Sequence, residues 1–543
     1  MNKSEDKRFI YDEVSYPELC YSLTHPGRVA AIGTLLGLRP PAVGHCRVLE
    51  IGCAGGGNLV PMAHSLPGSS FVGIDLSERQ IDSARQFAAA LDLHNLQFRH
   101  MDLIDLDPEL GEFDYIIAHG VYSWVPGPVR DRLLAACKRH LAADGIAYVS
   151  YNTLPGWNNI LTVREMINVR TRHLSDPREK VREGREFIAS ILAMVPHPEQ
   201  SPFALFLKDY IATRFRRFSD RSDWEESMLL HDELSTVNDP VYFHQFATHA
   251  AEHGLQYLAD ADFPRVMPND IEPENAAKLQ QMSLSVVDFE QYMDFVRDQT
   301  FRATLLVHDN VQIMRQLDGE KIRGLYVSSR TRFVRDEDGN EFFRTAEDAR
   351  WPAEEAITSA ALLHLESIAP RAAHFNDLFK AACQMLNLTG TPEKAASVLA
   401  DDLLAAFCVD TQLVELLAYD PACASIAPEH PEMSAVARHQ AGQSRIVSNL
   451  RHEQIELDDT TSVLAPLLDG QHDHAALRQA LTSRTQGAVT ITEQGATKVP
   501  EGATVDEALA KELEQGLATL AGAALLLASH HRKAARDSSA AIS

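Results

Sequence analysis

The sequence predicts an α/β fold whose leading unit is an open, doubly wound parallel sheet with helices on both faces. Three observations predict it. A short apolar run, residues 47–51, enters the glycine-rich turn Gly52-Cys53-Ala54-Gly55-Gly56-Gly57-Asn58 and leaves it as an apolar-patterned helix over 59–66. Such a strand–turn–helix unit lets backbone approach a ligand closely, because Gly52 and Gly56 carry no Cβ. Asp75 closes the next apolar run, 71–74, about twenty residues past the turn, where a nucleotide fold sets a carboxylate against ribose hydroxyls. Five strand–helix units then follow one another between residues 47 and 152.

The turn itself narrows the nucleotide. In a dinucleotide fingerprint the second glycine admits a pyrophosphate, and Ala54 stands in that place; no Lys-Ser or Lys-Thr follows, so it is not a P-loop. An acidic residue, Glu50, precedes the first glycine. A carboxylate there repels a pyrophosphate and suits a ligand carrying an ammonium and a sulfonium. The arrangement resembles the first motif of class I S-adenosylmethionine (SAM) methyltransferases, with Ala54 as its one departure.

Downstream elements follow in order. Ser77 and Gln80 form a capping box, and the helix behind them carries the stripe Ile81, Ala84, Ala88, Leu91. A third strand over 96–101 ends at Asp102, on the side of an open sheet where strand-end carboxylates line the ligand crevice; Asp102 reads either as an adenine ligand or as a helix N-cap. The fourth strand, 115–118, runs into His119-Gly120-Val121-Tyr122-Ser123-Trp124-Val125-Pro126, whose aromatic faces can hold a sulfonium or a methylated ammonium. The fifth, 146–151, ends in Asn152-Thr153-Leu154-Pro155-Gly156-Trp157. Residues 160–320 read as almost wholly helical, one helix being delimited by Asp239 as N-cap, Pro240 and Gly254. Asp338-Gly339-Asn340 reads as a hairpin turn. The remainder mixes amphipathic helices with short strands, with a helix pair at 464–481, a polar wing or loop at 485–504 and a disordered tail from 531.

Composition bounds the function. At 543 residues and 45% hydrophobic content the chain is an ordinary globular protein of about two to four domains. A net charge of −26 disfavours nucleic acid as a partner. Seven scattered cysteines without a Cys-x-x-Cys, no signal-peptide core and no membrane-length apolar run lead to the expectation of a cytoplasmic protein. His249-Ala250-Ala251-Glu252-His253 and His472-Asp473-His474 mimic metal motifs but lack assignable further ligands, so no metal is expected.

Nearly the whole chain is similar to bacterial methyltransferases with a methyltransferase regulatory domain, which include protein-lysine methyltransferases acting on outer-membrane proteins. The matching stretches are Tyr11 to Pro17, Thr24-His25-Pro26, Glu50 to Asn58, His119 to Pro126, Tyr151 to Trp157, Val237 to His244, Phe301 to Leu306, Asn449 to Glu453 and Leu467 to Gly470. The resemblance implies a Rossmann-like class I methyltransferase domain (1–160), a mostly helical middle domain (161–350) through which relatives dimerise, and an α+β winged-helix-like C-terminal domain (351–530), with 531–543 as the tail. It implies SAM as cofactor and S-adenosylhomocysteine as product. Glu50, Gly52, Cys53, Ala54, Gly56 and Asn58 are expected at the amino-acid end. Asp75, Leu76 and Gln80 fall at the ribose, Asp102 and Leu103 at the adenine, and His119, Gly120, Tyr16 and Thr24 around them. Tyr122, Trp124, Tyr151 and Asn152 are the catalytic candidates, as pocket walls and amine aligner. A protein substrate, most of all its lysines, is the expected acceptor; a small-molecule methyltransferase or a SAM-binding interaction protein are the alternatives.

Overall fold

The computed structural model describes residues 18–106, 108–214, 234–235, 237–388, 390, 392–487 and 505–528. Seven strands form the central sheet: β1 (Arg47–Ile51), β2 (Ser70–Asp75), β3 (Leu96–His100), β4 (Phe113–Ala118), β5 (Leu141–Asn152), β6 (Leu255–Asp260) and β7 (Phe301–His308). Their spatial order is β3-β2-β1-β4-β5-β7-β6. The first five are parallel, with Leu49 of β1 opposite Val72 and Ile116, while β7 runs antiparallel to β5 and β6. Val48 and Leu49 point into two different cores, one on each face of the sheet. Covered on both faces, these strands read as continuous apolar runs rather than alternations.

The stretch read as almost wholly helical, 160–320, thus contributes two strands. β7 is buried along nearly its whole length, so period-2 alternation, the usual strand signal, is absent from it. Between β5 and β6 the chain makes an excursion through α5 (Trp157–Thr171), α6 (Pro177–Met194) and α7 (Pro202–Arg214), which enclose a core of their own around Val163, Ile167, Ile188 and Leu207. It rejoins the sheet edge at Val241, bridged to Thr153. That bridge explains a second correction. The following helix, α8 (Phe243–Glu252), starts later than its Asp239 cap predicts, and Asp239 instead meets Arg130 at 2.9 Å.

Other expectations hold. Ser77 caps α3 (Glu78–Ala90), accepting the Gln80 N–H at 3.2 Å. Asp338 and Gly339 sit in the turn between β9 (Arg332–Arg335) and β10 (Glu341–Arg344), which pair antiparallel. In the C-terminal part, Leu362, Phe375, Leu399 and Leu403 share one hydrophobic cluster with Val48 and Phe71, so these helices are built onto the sheet rather than tethered to it. A separate core, with Leu464, Leu468, Leu477, Leu513 and Leu517, holds the last unit together. Its hairpin, β14 (Ile446–Ser448) and β15 (Gln454–Glu456), turns through Asn449 to Glu453. Most of the expected wing and the tail fall outside the described residues. Among the described residues no helix is long and apolar enough to cross a membrane.

Candidate active site

The site begins where β1 stops. Burial of Val48, Leu49 and Ile51 fixes the strand, and Glu50 at its end is itself buried, 3% exposed. Its Oε1 accepts from Asn58 Nδ2 at 2.7 Å; its Oε2 is buried and, among the described residues, has no hydrogen-bond partner. Burial pushes the Glu50 carboxyl up to about 8, against a lowering by the Asn58 bond and a further rise from Asp75. A buried carboxyl with a free oxygen and no cation of its own is a socket for a cationic group.

The turn wraps around that socket. Gly56 takes a left-handed φ of +82°, which favours glycine. At Gly57 a Cβ would lie 2.5 Å from the Glu18 carbonyl carbon, so the N-terminal segment lies directly on the turn. Ala54 adopts φ +45°, an uncommon conformation for a residue with a side chain, and its N–H is held by Asp75 Oδ2 at 2.9 Å. Asp75 Oδ1 accepts from the Ser77 N–H at 2.9 Å. Asp75 thereby ties the turn to the head of α3, half-buried, with its carboxyl raised by burial. Gln80 is buried, and among the described residues its Nε2 donor has no hydrogen-bond partner. Leu76 receives the His100 Nε2 hydrogen bond on its carbonyl at 2.9 Å. Asp102 caps the following short helical turn, accepting from Ile104 N–H at 3.0 Å, with Leu103 half-buried beside it.

The N-terminal segment is anchored over the turn by hydrogen bonds. Thr24 Oγ1 donates to the Tyr21 carbonyl and accepts from Asn58 Nδ2, and the Tyr21 N–H donates to Asn58 Oδ1. Tyr21 lies on the His119 ring, centroids 3.8 Å apart. His119 bonds the Tyr148 hydroxyl at 3.0 Å, and burial pulls its pKa down to about 4, so it is neutral. Gly120 donates its N–H to Ser150 Oγ at 2.8 Å. Cys53 is buried; Tyr16 lies outside the described residues.

The four catalytic candidates separate into two pairs. Tyr122 and Tyr151 are buried at 2% and 1%, both packed on Phe246, so they support the loop from beneath rather than wall an open pocket. The Tyr151 hydroxyl is bonded to Thr304 Oγ1 at 2.9 Å; Tyr122 meets His249 Nδ1 at 2.8 Å, and His249 Nε2 meets Asp131 at 2.8 Å. Trp124 is half-buried and edge-on to Trp157, and Asn152 has its Nδ2 buried without a partner. Trp157, absent from the sequence-derived candidates, donates Nε1–H to Asn238 Oδ1 at 3.0 Å. Phe301, half-exposed at the start of β7, adds an edge against His119; it was hidden because β7 itself was not read as a strand.

Histidines of both metal-like motifs make hydrogen bonds. Ligand atoms of Asp131, His249 and His253 lie within 4.8 Å of one another, but both ring nitrogens of His249 are engaged as above. His472 binds Asp469 and His474 the Pro428 carbonyl, in a turn.

Comparisons with known proteins agree with this architecture. Residues 49–147 match the model of a methyltransferase domain, 225–308 that of a "predicted methyltransferase regulatory domain", and 429–525 that of the PKMT C-terminal winged helix domain. An uncharacterized protein of Rickettsia prowazekii is 35% identical over 251 residues, 46% of this chain and 97% of its own length. The chain belongs to the class I SAM-dependent methyltransferases with a regulatory domain. A second uncharacterized protein of R. prowazekii is 39% identical to this methyltransferase over 313 residues, 58% of this chain. The match spans about half of that relative's length, 55%. The structure of PKMT2 from Rickettsia typhi superposes with a TM-score of 0.82 at 28% identity, over 94% of this methyltransferase and 99% of that chain, and the same protein in complex with AdoHcy gives 0.81.

Proposed function

We propose that this methyltransferase moves the methyl group of SAM onto lysine side chains of a protein. The observation that carries the cofactor half is the buried Glu50 at the head of the glycine turn, which among the described residues has no paired cation and no partner on Oε2. The acceptor half is supported by the match of residues 429–525 to a domain named for the PKMT proteins.

Bound SAM supplies an activated methyl on a sulfonium. Transfer is an in-line displacement, so the chain's part is chiefly positioning. Glu50, Gly52, Cys53, Ala54, Gly56 and Asn58 would hold the amino-acid end, Asp75, Leu76 and Gln80 the ribose, and Asp102 and Leu103 the adenine. Thr24, His119 and Gly120 would close over it. Neutral His119 puts no competing positive charge beside a sulfonium. A lysine nucleophile must first lose its proton, which from a pKa near 10.4 costs roughly 4–5 kcal/mol at pH 7. Trp124 and Trp157 would form an apolar wall that lowers this cost by disfavouring the cation. Asn152, with a spare donor, would align the acceptor, while Tyr122 and Tyr151 hold the loop from below.

The helical excursion, which exposes Val169, Met194 and Leu205, is proposed as the surface through which two copies pair. Seven free, buried cysteines suit a reducing compartment and hence the cytoplasm.

Incubation with methyl-labelled SAM and a host-cell extract tests the reading. Label recovered from protein as methyl-lysine supports it; label confined to small molecules overturns the acceptor, and undiminished SAM affinity in Asp75→Ala overturns the placement of the cofactor.

A further inference from the structure

The hydrogen bonds around Glu50 do not end within the catalytic sheet. Asn58 is the hinge of the network. Its Nδ2 must face Glu50, which accepts, and its Oδ1 must therefore face the Tyr21 N–H, an obligate donor. A further partner of that oxygen is His452 Nε2, at 2.8 Å, from a residue 394 positions later in the chain. Since Asn58 offers an acceptor there, His452 must be the tautomer that carries its proton on Nε2. Burial keeps it neutral.

His452 sits in the turn between β14 and β15, in the left-handed region at φ +60°. A non-glycine residue holds that conformation only when its surroundings determine it. Here Asn449 Oδ1 accepts both the Arg451 and the Glu453 N–H, each at 2.9 Å. The turn is then seated by buried charge. Arg28 of α1 (Pro26–Leu35) donates to the Arg451 carbonyl at 2.8 Å and to Glu415 Oε1 at 2.6 Å, and Arg451 pairs with the other oxygen of Glu415. Gln454 donates to the Cys20 carbonyl at 2.8 Å, directly before Tyr21. The N-terminal segment, the glycine turn and the C-terminal hairpin converge on one amide.

We infer that His452 is a positioning residue of the cofactor site, through which the seated C-terminal hairpin orients Asn58, and Asn58 orients Glu50, toward the ammonium of an amino-acid-bearing nucleoside. The inference rests on the proposed cofactor placement and adds to it a requirement. The amino-acid arm is bound at full strength only while the hairpin is docked, whereas the adenosine part depends on Asp75, Leu76, Gln80, Asp102 and Leu103.

That asymmetry gives the test. Dissociation constants are measured by calorimetry for SAM, for S-adenosylhomocysteine and for 5′-methylthioadenosine, which keeps the nucleoside and sulfur but lacks the amino-acid arm. The full-length wild type is compared with His452→Ala and His452→Gln, the amide of glutamine restoring an N–H donor. His452→Ala is expected to weaken both amino-acid ligands by about tenfold, as the loss of one hydrogen bond to a charged network allows. It should leave methylthioadenosine within about twofold, with His452→Gln recovering most of the loss. Unchanged SAM affinity would overturn the inference, and so would equal weakening of all three ligands, which is the signature of a hairpin that merely stabilises the fold. A wild-type chain that binds none of the three would overturn the cofactor placement itself.

Discussion

A cluster of buried carboxylates around β7 and the single buried carboxylate of β1 sit on the same sheet, with two strands between them, and they differ in the cation beside them. On β7, Arg302 is 4% exposed and bonds Asp294 through Nε at 2.8 Å and Glu290 through Nη2 at 3.0 Å, with its guanidinium over the Phe243 ring. Asp260 lies at the edge of the same cluster with backbone N–H groups on both oxygens. Glu50, on β1, is as buried but has a single amide and, among the described residues, no paired cation. The first group holds one cation of the chain, Arg302, among its carboxylates. The second has none, so a cation supplied from outside completes it. Depth of burial alone does not mark a ligand site; a buried carboxylate with no cation beside it does.

That contrast breaks or sharpens under substitution. The largest effect is expected at the Arg302 cluster: Arg302→Met strands two carboxylates and should cost about 3–5 kcal/mol of stability in denaturant titration. Glu50→Gln should do the reverse. It replaces a carboxyl whose ionised form has no countercharge, so the empty protein keeps or gains stability, while SAM affinity falls roughly 10–100-fold by calorimetry. If Glu50→Gln instead destabilised the chain as Arg302→Met does, the distinction drawn here would collapse.

The same contrast has a pH dependence. The folded Glu50 carboxyl is raised from 4.5 to about 8 by burial. The unfolded chain therefore releases its proton first, and Glu50 makes the empty protein lose stability as pH rises from about 4.5 to about 8. A bound ammonium favours the ionised carboxylate, so binding expels that proton and SAM affinity should climb between about pH 6 and 7.5. Both trends should be weaker in Glu50→Gln, read by thermal unfolding and by calorimetry in buffers of different ionisation enthalpy. The smallest effect is expected at Ala54: since the left-handed strain and the extra freedom of glycine oppose each other, Ala54→Gly should shift stability by less than about 1 kcal/mol and SAM affinity by less than about twofold.

The cofactor end was legible because its signals are local. Glu50, the glycine turn, Asp75 and the Ser77 cap lie within thirty residues, and each is tied to a backbone conformation that leaves a mark in residue type. The acceptor side was less so. Tyr122 and Tyr151 were read as pocket walls because aromatic loops bind cations, but Phe246, from a helix about a hundred residues later, covers both rings. Long-range packing of that kind leaves no periodicity. Trp157, Phe301 and His452 were present in stretches that matched the family, yet their proximity to the site depends on β7 and on the hairpin being where they are. β7 in turn resembles any buried apolar run.

The excursion between β5 and β6 leaves and re-enters the sheet at neighbouring points, Thr153 and Val241, where the Leu154 N–H meets the Val241 carbonyl at 3.1 Å. A segment whose two ends meet, and which has its own core, is an insertion in the modular sense. It can be shortened, swapped or replaced by a tight linker with only two peptide connections to remake, and the glycine turn would not register the exchange. Acceptor choice and methyl-donor chemistry are thereby free to diverge: one by trading the inserted piece, the other by holding still.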